Sequence, residues 1–405
     1  MIKKEFTKYR IFMLAYWAMM LSIMGMYTMY IINIGFSKTE IGIAVTLCTF
    51  SGLLGQNFIG YLADRYKYVK KILLVSISSG VIIATGFIFA KQNWQVFVAI
   101  ALWAFCVYGT VPLTEAWCIG FLKARNAQNY FGKIRGVGSI GYGVSGVLLG
   151  LLLQSFGWDI YYWYILASIV CAAISVLMLA EIKDVAFYKG SGKGTGENGN
   201  ISFLEVFKET AKIKPLRSII IIVFMYTFVV KGVYSYLGVL VSDFGGGPLS
   251  LGLTYFFDAT PEVVTFFLTA RLMNRFKSKW LILVAFVLQI IRLSLILVFN
   301  SSLAIMILGV LSGFAYGLIA TAYKTYVYEL APEKYKISCI SLSESIIGLS
   351  GVISVPIFGF VLLQFGGFAA ISAGLAIDIF ALGIILKDIY KARLSDQSMN
   401  SSAEV

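Results

Sequence analysis

Histidine is absent from this 405-residue chain. That removes the commonest metal ligand and the side chain that most often relays protons near neutral pH. Charge is also scarce. Asp, Glu, Lys and Arg make up 13% of residues, against about 25% in a soluble domain. With 59% of residues hydrophobic, a soluble all-α protein is excluded, because its apolar runs would stop near about 10–14 residues. Cysteine is sparse and unpatterned. Cys48, Cys106, Cys118, Cys171 and Cys339 lie in or beside apolar runs with no metal-ligand spacing, so reduced, buried thiols and no metal are expected. No cofactor is expected either. No nucleophile–base set, metal cluster or nucleotide-binding motif rises from the sequence, so enzymatic activity is not expected.

What is present is a series of apolar runs, many of them about 20 residues long, the length of a membrane-spanning helix. Read against turns and charges they give twelve expected spans: 11–34, 41–63, 72–90, 95–121, 136–156, 160–182, 216–242, 249–270, 280–299, 302–329, 338–364 and 368–389. Of the 33 Lys and Arg, 27 fall in tails and loops of one face and two, Lys38 and Lys91, on the other. By the positive-inside rule both termini are cytoplasmic and the number of spans is even. The net charge of +13 is therefore a topology signal. Spread over short loops, it does not form a nucleic-acid surface. The first span is too long, with the wrong flanks, for a cleaved signal peptide, and is expected to stay in the mature protein.

The one long polar stretch, Lys183 to Lys214, divides the chain. Its Gly-rich middle reads as a flexible tether, and Phe203 to Lys214 as a short amphipathic helix on the membrane surface. The expected organisation is a six-helix bundle over 1–182, a cytoplasmic linker over 183–215, a second six-helix bundle over 216–390 and a cytoplasmic tail over 391–405. The halves echo each other: Leu62-Ala63-Asp64-Arg65-Tyr66-Lys67 and Leu272-Met273-Asn274-Arg275-Phe276-Lys277 occupy matching positions after the second span of each.

Within spans, charge is conspicuous. A charged side chain near the bilayer centre costs about 2.5–3.5 kcal/mol on insertion scales, so it normally has a partner and a function. Glu115 follows the apolar run from Val96 to Pro112, and Arg135 opens the run from Gly136 to Phe156. An acid and a base on consecutive spans can hold two helices together, or can pair when empty and grip a polar solute when loaded. Asp258 and Glu262 lie one helical turn apart on one face. Arg292, Lys231, Glu344 and Asp378 are each set in apolar sequence. Lys324 is expected to reach the membrane edge.

Taken together, the duplicated halves and these motifs resemble the major facilitator superfamily, and within it the branch of lactose permease-like oligosaccharide/proton symporters. Gly55-Gln56-Asn57-Phe58-Ile59-Gly60-Tyr61-Leu62-Ala63-Asp64-Arg65 is similar to that superfamily's loop 2–3 signature. Glu115-Ala116-Trp117 and Phe131-Gly132-Lys133-Ile134-Arg135-Gly136-Val137-Gly138-Ser139-Ile140-Gly141-Tyr142 resemble the sugar-binding stretches of the branch. The resemblance implies an all-α membrane protein of twelve transmembrane helices in two six-helix pseudo-repeats, acting as a monomer. It also implies substrate contacts at Glu115, Arg135, Tyr142 and Trp117 and a cytoplasmic gate at Asp64 and Arg65. Proton coupling falls to Glu262 or Asp258 with Arg292. Tyr replaces the branch's Trp at 142, and the coupling residues of span 10 are replaced by an apolar stretch near Leu308 to Phe314. Lys231 and Glu344 are expected to form an inter-helix bridge, as a latch or as a substrate contact. Tyr27, Tyr30, Tyr234, Tyr236 and Tyr255 are candidates for lining a cavity.

The expected function is proton-coupled uptake of a small polar solute, a sugar or glycoside first, across a plasma membrane. The alternatives are a proton antiporter exporting drugs or metabolites, symport of nucleosides or aromatic acids, and a transporter-like receptor without coupled flux. The expected partners are the solute, protons and the lipid bilayer.

Overall fold

A computed structural model describes residues 2–127, 130–181, 208, 210–332 and 336–403. Most of the expected linker, and of the amphipathic helix within it, lies outside the described residues. The helices in chain order are α1 (Ile2–Met20), α2 (Tyr27–Asn33), α3 (Lys38–Tyr66), α4 (Val69–Ile88), α5 (Asn93–Cys106), α6 (Val111–Lys123), α7 (Phe131–Phe156) and α8 (Asp159–Leu177). The second half supplies α9 (Lys214–Ser235), α10 (Leu237–Asp243), α11 (Pro248–Arg275), α12 (Ser278–Phe299), α13 (Ser302–Ile307), α14 (Gly309–Leu330) and α15 (Lys336–Ala403).

Among the described residues, ten helices are long and apolar enough to cross a membrane. Twelve spans were expected. The difference has two sources. Helix α11, which carries Asp258 and Glu262, is not among the ten, and the ten count Leu342–Lys387 once. That last stretch is two helices joined at Gly366, whose φ of +86° and ψ of 172° are non-helical and are held at low cost only by glycine. Helices also run past the apolar runs that announced them. Helix α7 begins at Phe131, so Arg135 lies inside the helix rather than at its start.

Two spans are bent near their middles, for local reasons. Between α1 and α2 the chain widens into a π-helical turn over Leu21–Gly25, a feature that often marks functional sites. Between α5 and α6 it tightens into a 3-10 turn over Tyr108–Thr110. Pro112 follows in the first turn of α6, where its missing N–H leaves no helical hydrogen bond unmade. The Tyr16 hydroxyl lies 2.8 Å from Thr110 Oγ1 and ties this bend to α1.

Glycine sets how closely the two halves meet. A Cβ on Gly252 of α11 would stand 2.0 Å from the carbonyl oxygen of Gly146 on α7. One on Gly238 of α10 would stand 2.2 Å from Thr28 Oγ1 of α2. The Tyr255 hydroxyl donates to the carbonyl of Gly25 at 3.0 Å. All three contacts lie toward the end of the bundle remote from the chain termini. Below them, between the halves, is a cavity of about 500 Å³.

Overpacking a close contact costs about 1–3 kcal/mol. Gly252→Val is therefore expected to push the halves apart at the remote end and depopulate this arrangement. In a background lacking the other four cysteines, labelling of Cys48 on the cavity wall by an impermeant maleimide should then increase from that side. Unchanged labelling would show that the glycine contact does not hold the end shut.

Candidate functional site

The cavity wall from the first half is organised around Arg135. Its Nε donates to Glu115 Oε1 at 2.9 Å, and Nη1 donates to Ser139 Oγ at 3.2 Å. Ser139 lies one turn along α7, and Tyr142 follows on the same face. The guanidinium carbon stands 4.1 Å from the centroid of the Trp17 ring, within cation–π range. Gly138 makes this possible, since a Cβ there would come within 2.4 Å of Trp17 Cδ1. The Arg135 side chain is 14% exposed and that of Glu115 36%. The pair is thus sheltered yet open enough for a solute to compete for its hydrogen bonds.

From Trp17 a series of edge-on ring contacts runs toward the second half. Trp17 meets Tyr142 at 6.2 Å, Tyr142 meets Tyr255 at 5.4 Å, and Tyr255 meets Tyr234 at 5.8 Å between centroids. All four rings line the cavity, as does Tyr27. Tyr30 and Tyr236 do not. Their hydroxyls donate to the carbonyls of Ile88 and Val355.

The wall from the second half carries Asp258 and Glu262 of α11, with Ser312 and Tyr316 of α14 beside them. Asp258 Oδ1 and Glu262 Oε1 are buried without a hydrogen-bond partner. No cation lies within 4.0 Å of either carboxylate among the described residues. Arg292 is 4% exposed and its Nε has no hydrogen-bond partner. It is not part of the cavity wall. Asp378 is fully buried outside the wall, with neither carboxyl oxygen bonded.

Several expected placements change. Trp117 is fully buried outside the cavity, its ring 5.9 Å from Tyr9 and 5.7 Å from Phe12. Two residues along a helix is a rotation of about 200°, so with Glu115 turned to Arg135, Trp117 points into the packed interior. Lys231 and Glu344 do not bridge. Glu344 accepts from the Tyr323 hydroxyl and pairs with Lys324 at 2.8 Å, so Lys324 is not simply extended to the membrane edge. Lys231 stays on the cavity wall, its Nζ donating to the carbonyl of Ile347 at 3.3 Å. The pair for a charge-swap test is therefore Lys324 with Glu344. Either single reversal should reduce transport and the double reversal restore it, and failure of rescue would mean the two act separately. Asp64 and Arg65 sit at the end of α3, outside the cavity, with Arg65 Nη1 donating to the Tyr61 hydroxyl at 2.8 Å.

Trp17, Tyr108 and Tyr316 line the cavity without having been singled out in the sequence. For Trp17 a signal exists. Tryptophan in spans concentrates at membrane interfaces, whereas Trp17 is well inside the first span, on one helical face with Met20 and Met24.

A helical bundle of membrane-crossing length, with a largely apolar cavity between its halves and embedded charges on the wall, defines a multi-pass membrane transporter. The chain belongs to the MFS_1 like family, whose model matches residues 6–371. It is similar to a probable 4-methylmuconolactone transporter of Cupriavidus pinatubonensis, 24% identical over 336 residues that cover 80% of this chain and 76% of the relative. It is also similar to a maltose permease of Geobacillus stearothermophilus, 21% identical over 76% of this chain and 75% of that one. Among solved structures, the nucleoside transporter NupG superposes with a TM-score of 0.75 at 13% identity, covering 95% of this chain and 98% of the other. The fold is that of the major facilitator transporters, and the chain is a transporter rather than an enzyme.

Proposed function

We propose that this transporter couples proton entry to uptake of a small polar solute, a sugar or glycoside first, by alternating access between its halves. The observation that carries this reading is the pairing of two groups on one cavity. Arg135, on the cavity wall with its guanidinium against the Trp17 ring and its Nε bonded to Glu115, is suited to grip solute hydroxyls. Asp258 and Glu262 line the same cavity with no cation within 4.0 Å of either carboxylate among the described residues. Arg135 and Glu115, with Tyr142, hold the solute. Glu262, with Asp258 one turn away, takes the proton, and Arg292 of α12, behind the cavity wall, assists its release. Asp64 and Arg65 latch the cytoplasmic end.

The embedded charges do not coincide with ordinary core packing, and the sheltered pair is matched to vicinal hydroxyls by the fork of the guanidinium. The maltose permease among the relatives agrees with a sugar. A second reading, symport of nucleosides or aromatic acids, is favoured by the continuous ring wall from Trp17 to Tyr234, a surface suited to a flat solute. Both readings take the chain as a monomer in a bacterial-type plasma membrane, as the family resemblance implies, with cytoplasmic termini from the Lys and Arg distribution. The contacts at the remote end then correspond to a state closed to the outside.

The test is accumulation of labelled sugars, nucleosides and aromatic acids in proteoliposomes under an imposed proton gradient, acid outside. Accumulation that a protonophore collapses is the expected result. Export of amphipathic cations driven by the same gradient would replace symport with antiport, and saturable binding without any accumulation would leave a receptor.

A further inference from the structure

The proposed bridge to Glu344 would have made Lys231 a structural residue. With Glu344 engaged by Lys324 and Tyr323, Lys231 is instead a cation on the cavity wall. Its ammonium donates to one backbone carbonyl, that of Ile347. No carboxylate lies within 4.0 Å of it among the described residues. An ammonium carries three donors, and a single carbonyl leaves two to be satisfied. Holding a charge in a span with no carboxylate in bonding range is costly, so its position suits an anion that comes and goes.

The surroundings are shaped for this. The stem of Lys231 lies over Gly351 of α15, where a Cβ would come within 2.8 Å of Lys231 Cδ. A glycine at that point lets the chain lie flat against the wall. Next to the Ile347 carbonyl, Gly348 also lines the cavity, and a Cβ on it would meet nothing within 4 Å. There is thus space beside the ammonium as well as a cation to fill it. Tyr234, one turn from Lys231 on α9, closes the ring series that begins at Trp17.

We infer that Lys231 is the anchor for a carboxylate on the transported solute, so that the substrate class is a ring-bearing organic acid, either a sugar acid or a hydroxylated aromatic acid. This rests on the proposed solute site and narrows it. The ring lies along the Trp17–Tyr234 wall, its hydroxyls reach Arg135 and Glu115, and its carboxylate reaches Lys231. The charge count is consistent with the proton-coupled reading. Arg135, Lys231, Asp258 and Glu262 line the cavity, Glu115 pairs with Arg135, and taking up one proton and one carboxylate together leaves the site's charge unchanged.

The experiment is binding to the purified full-length transporter, read by tryptophan fluorescence and by the shift in melting temperature. The probes are phenyl glucuronide, 3,4-dihydroxybenzoate and quinate, each beside its methyl ester. At least one acid should bind about tenfold or more tightly than its ester. Lys231→Gln should erase that preference, while Lys231→Arg keeps most of it; a hydrogen bond to a charged group supports a loss of about ten- to hundredfold. Melting temperature without ligand shows whether each variant is folded, and the arginine variant keeps the test valid should the glutamine variant fail to fold. Equal binding of acid and ester, an acid preference that survives Lys231→Gln, or binding of no acid at all would overturn the inference. Its failure is separable from failure of the symport reading. Neutral solutes that drive proton entry while acids do not would leave symport standing and remove the anion site. Lys231-dependent acid binding without proton movement would do the reverse.

Discussion

Replacing Glu262 by Gln is expected to abolish accumulation of solute while leaving exchange of solute across the membrane. Glu262 faces the cavity from α11 with Oε1 buried and unpartnered, one turn from Asp258. Two acids this close, without a cation in bonding range, disfavour simultaneous ionisation, and a proton resolves the conflict. Gln reproduces the neutral, proton-loaded side chain but cannot discharge. The transporter would then shuttle loaded in both directions yet not return empty. Loss of a positioned proton-transfer group is worth about 10²- to 10⁴-fold, so net uptake should fall to background. Counterflow, in which labelled external solute exchanges with unlabelled internal solute, should persist within a fewfold of wild type. Accumulation that survives in Glu262→Gln and is lost instead in Asp258→Asn would move the proton site one turn along the helix. Loss of counterflow as well would make Glu262 a solute ligand rather than a coupling group.

The second large effect is expected at Arg135. Arg135→Lys keeps the charge but loses the planar fork that reaches Glu115, Ser139 and a solute together. A compact ammonium also stacks less well on Trp17. Losing a hydrogen bond to a charged group costs about 1.5–3 kcal/mol, or roughly ten- to 150-fold in apparent affinity. Glu115→Gln should be milder, because Glu115 is more exposed than Arg135 and an amide oxygen still accepts from the guanidinium. Both variants should fold. The discriminating readout is where the loss appears. A solute-contact role raises the concentration for half-maximal uptake, while a purely structural ion pair lowers the melting temperature and leaves that concentration unchanged. The second outcome would remove Arg135 from the binding site.

The architecture was legible in the sequence because a lipid solvent imposes the strongest pattern that a chain can carry. Each backbone group must be satisfied within its own helix, so apolar length and Lys/Arg asymmetry announce spans before any contact is known. The pattern weakened where function intrudes. Helix α11 carries Asp258 and Glu262, which lower its hydropathy, and α15 hides a break at Gly366 that only a backbone angle reveals.

Single charged residues in spans were equally readable as candidates, and Glu115, Arg135, Asp258, Glu262 and Lys231 all take positions in or against one cavity. Partner choice was not legible, because it depends on which helix faces which. Glu344 pairs with Lys324 of α14 rather than with Lys231 of α9. Trp117 sits two residues from Glu115 and so faces away from it, a rotation that a motif quoted as consecutive letters conceals. Trp17 was passed over because its role needs Gly138 on another helix to make room, a relation between residues 121 positions apart.

In the proposed cycle, solute and proton enter through the same cavity together. This is tested most directly by an internal pH dye in proteoliposomes at equal pH on both sides, with solute added outside. The expected result is acidification of the interior that depends on the solute, saturates with it, and disappears in Glu262→Gln. Solute entry with no pH change in the wild-type protein, or alkalinisation of the interior on solute entry, would contradict it.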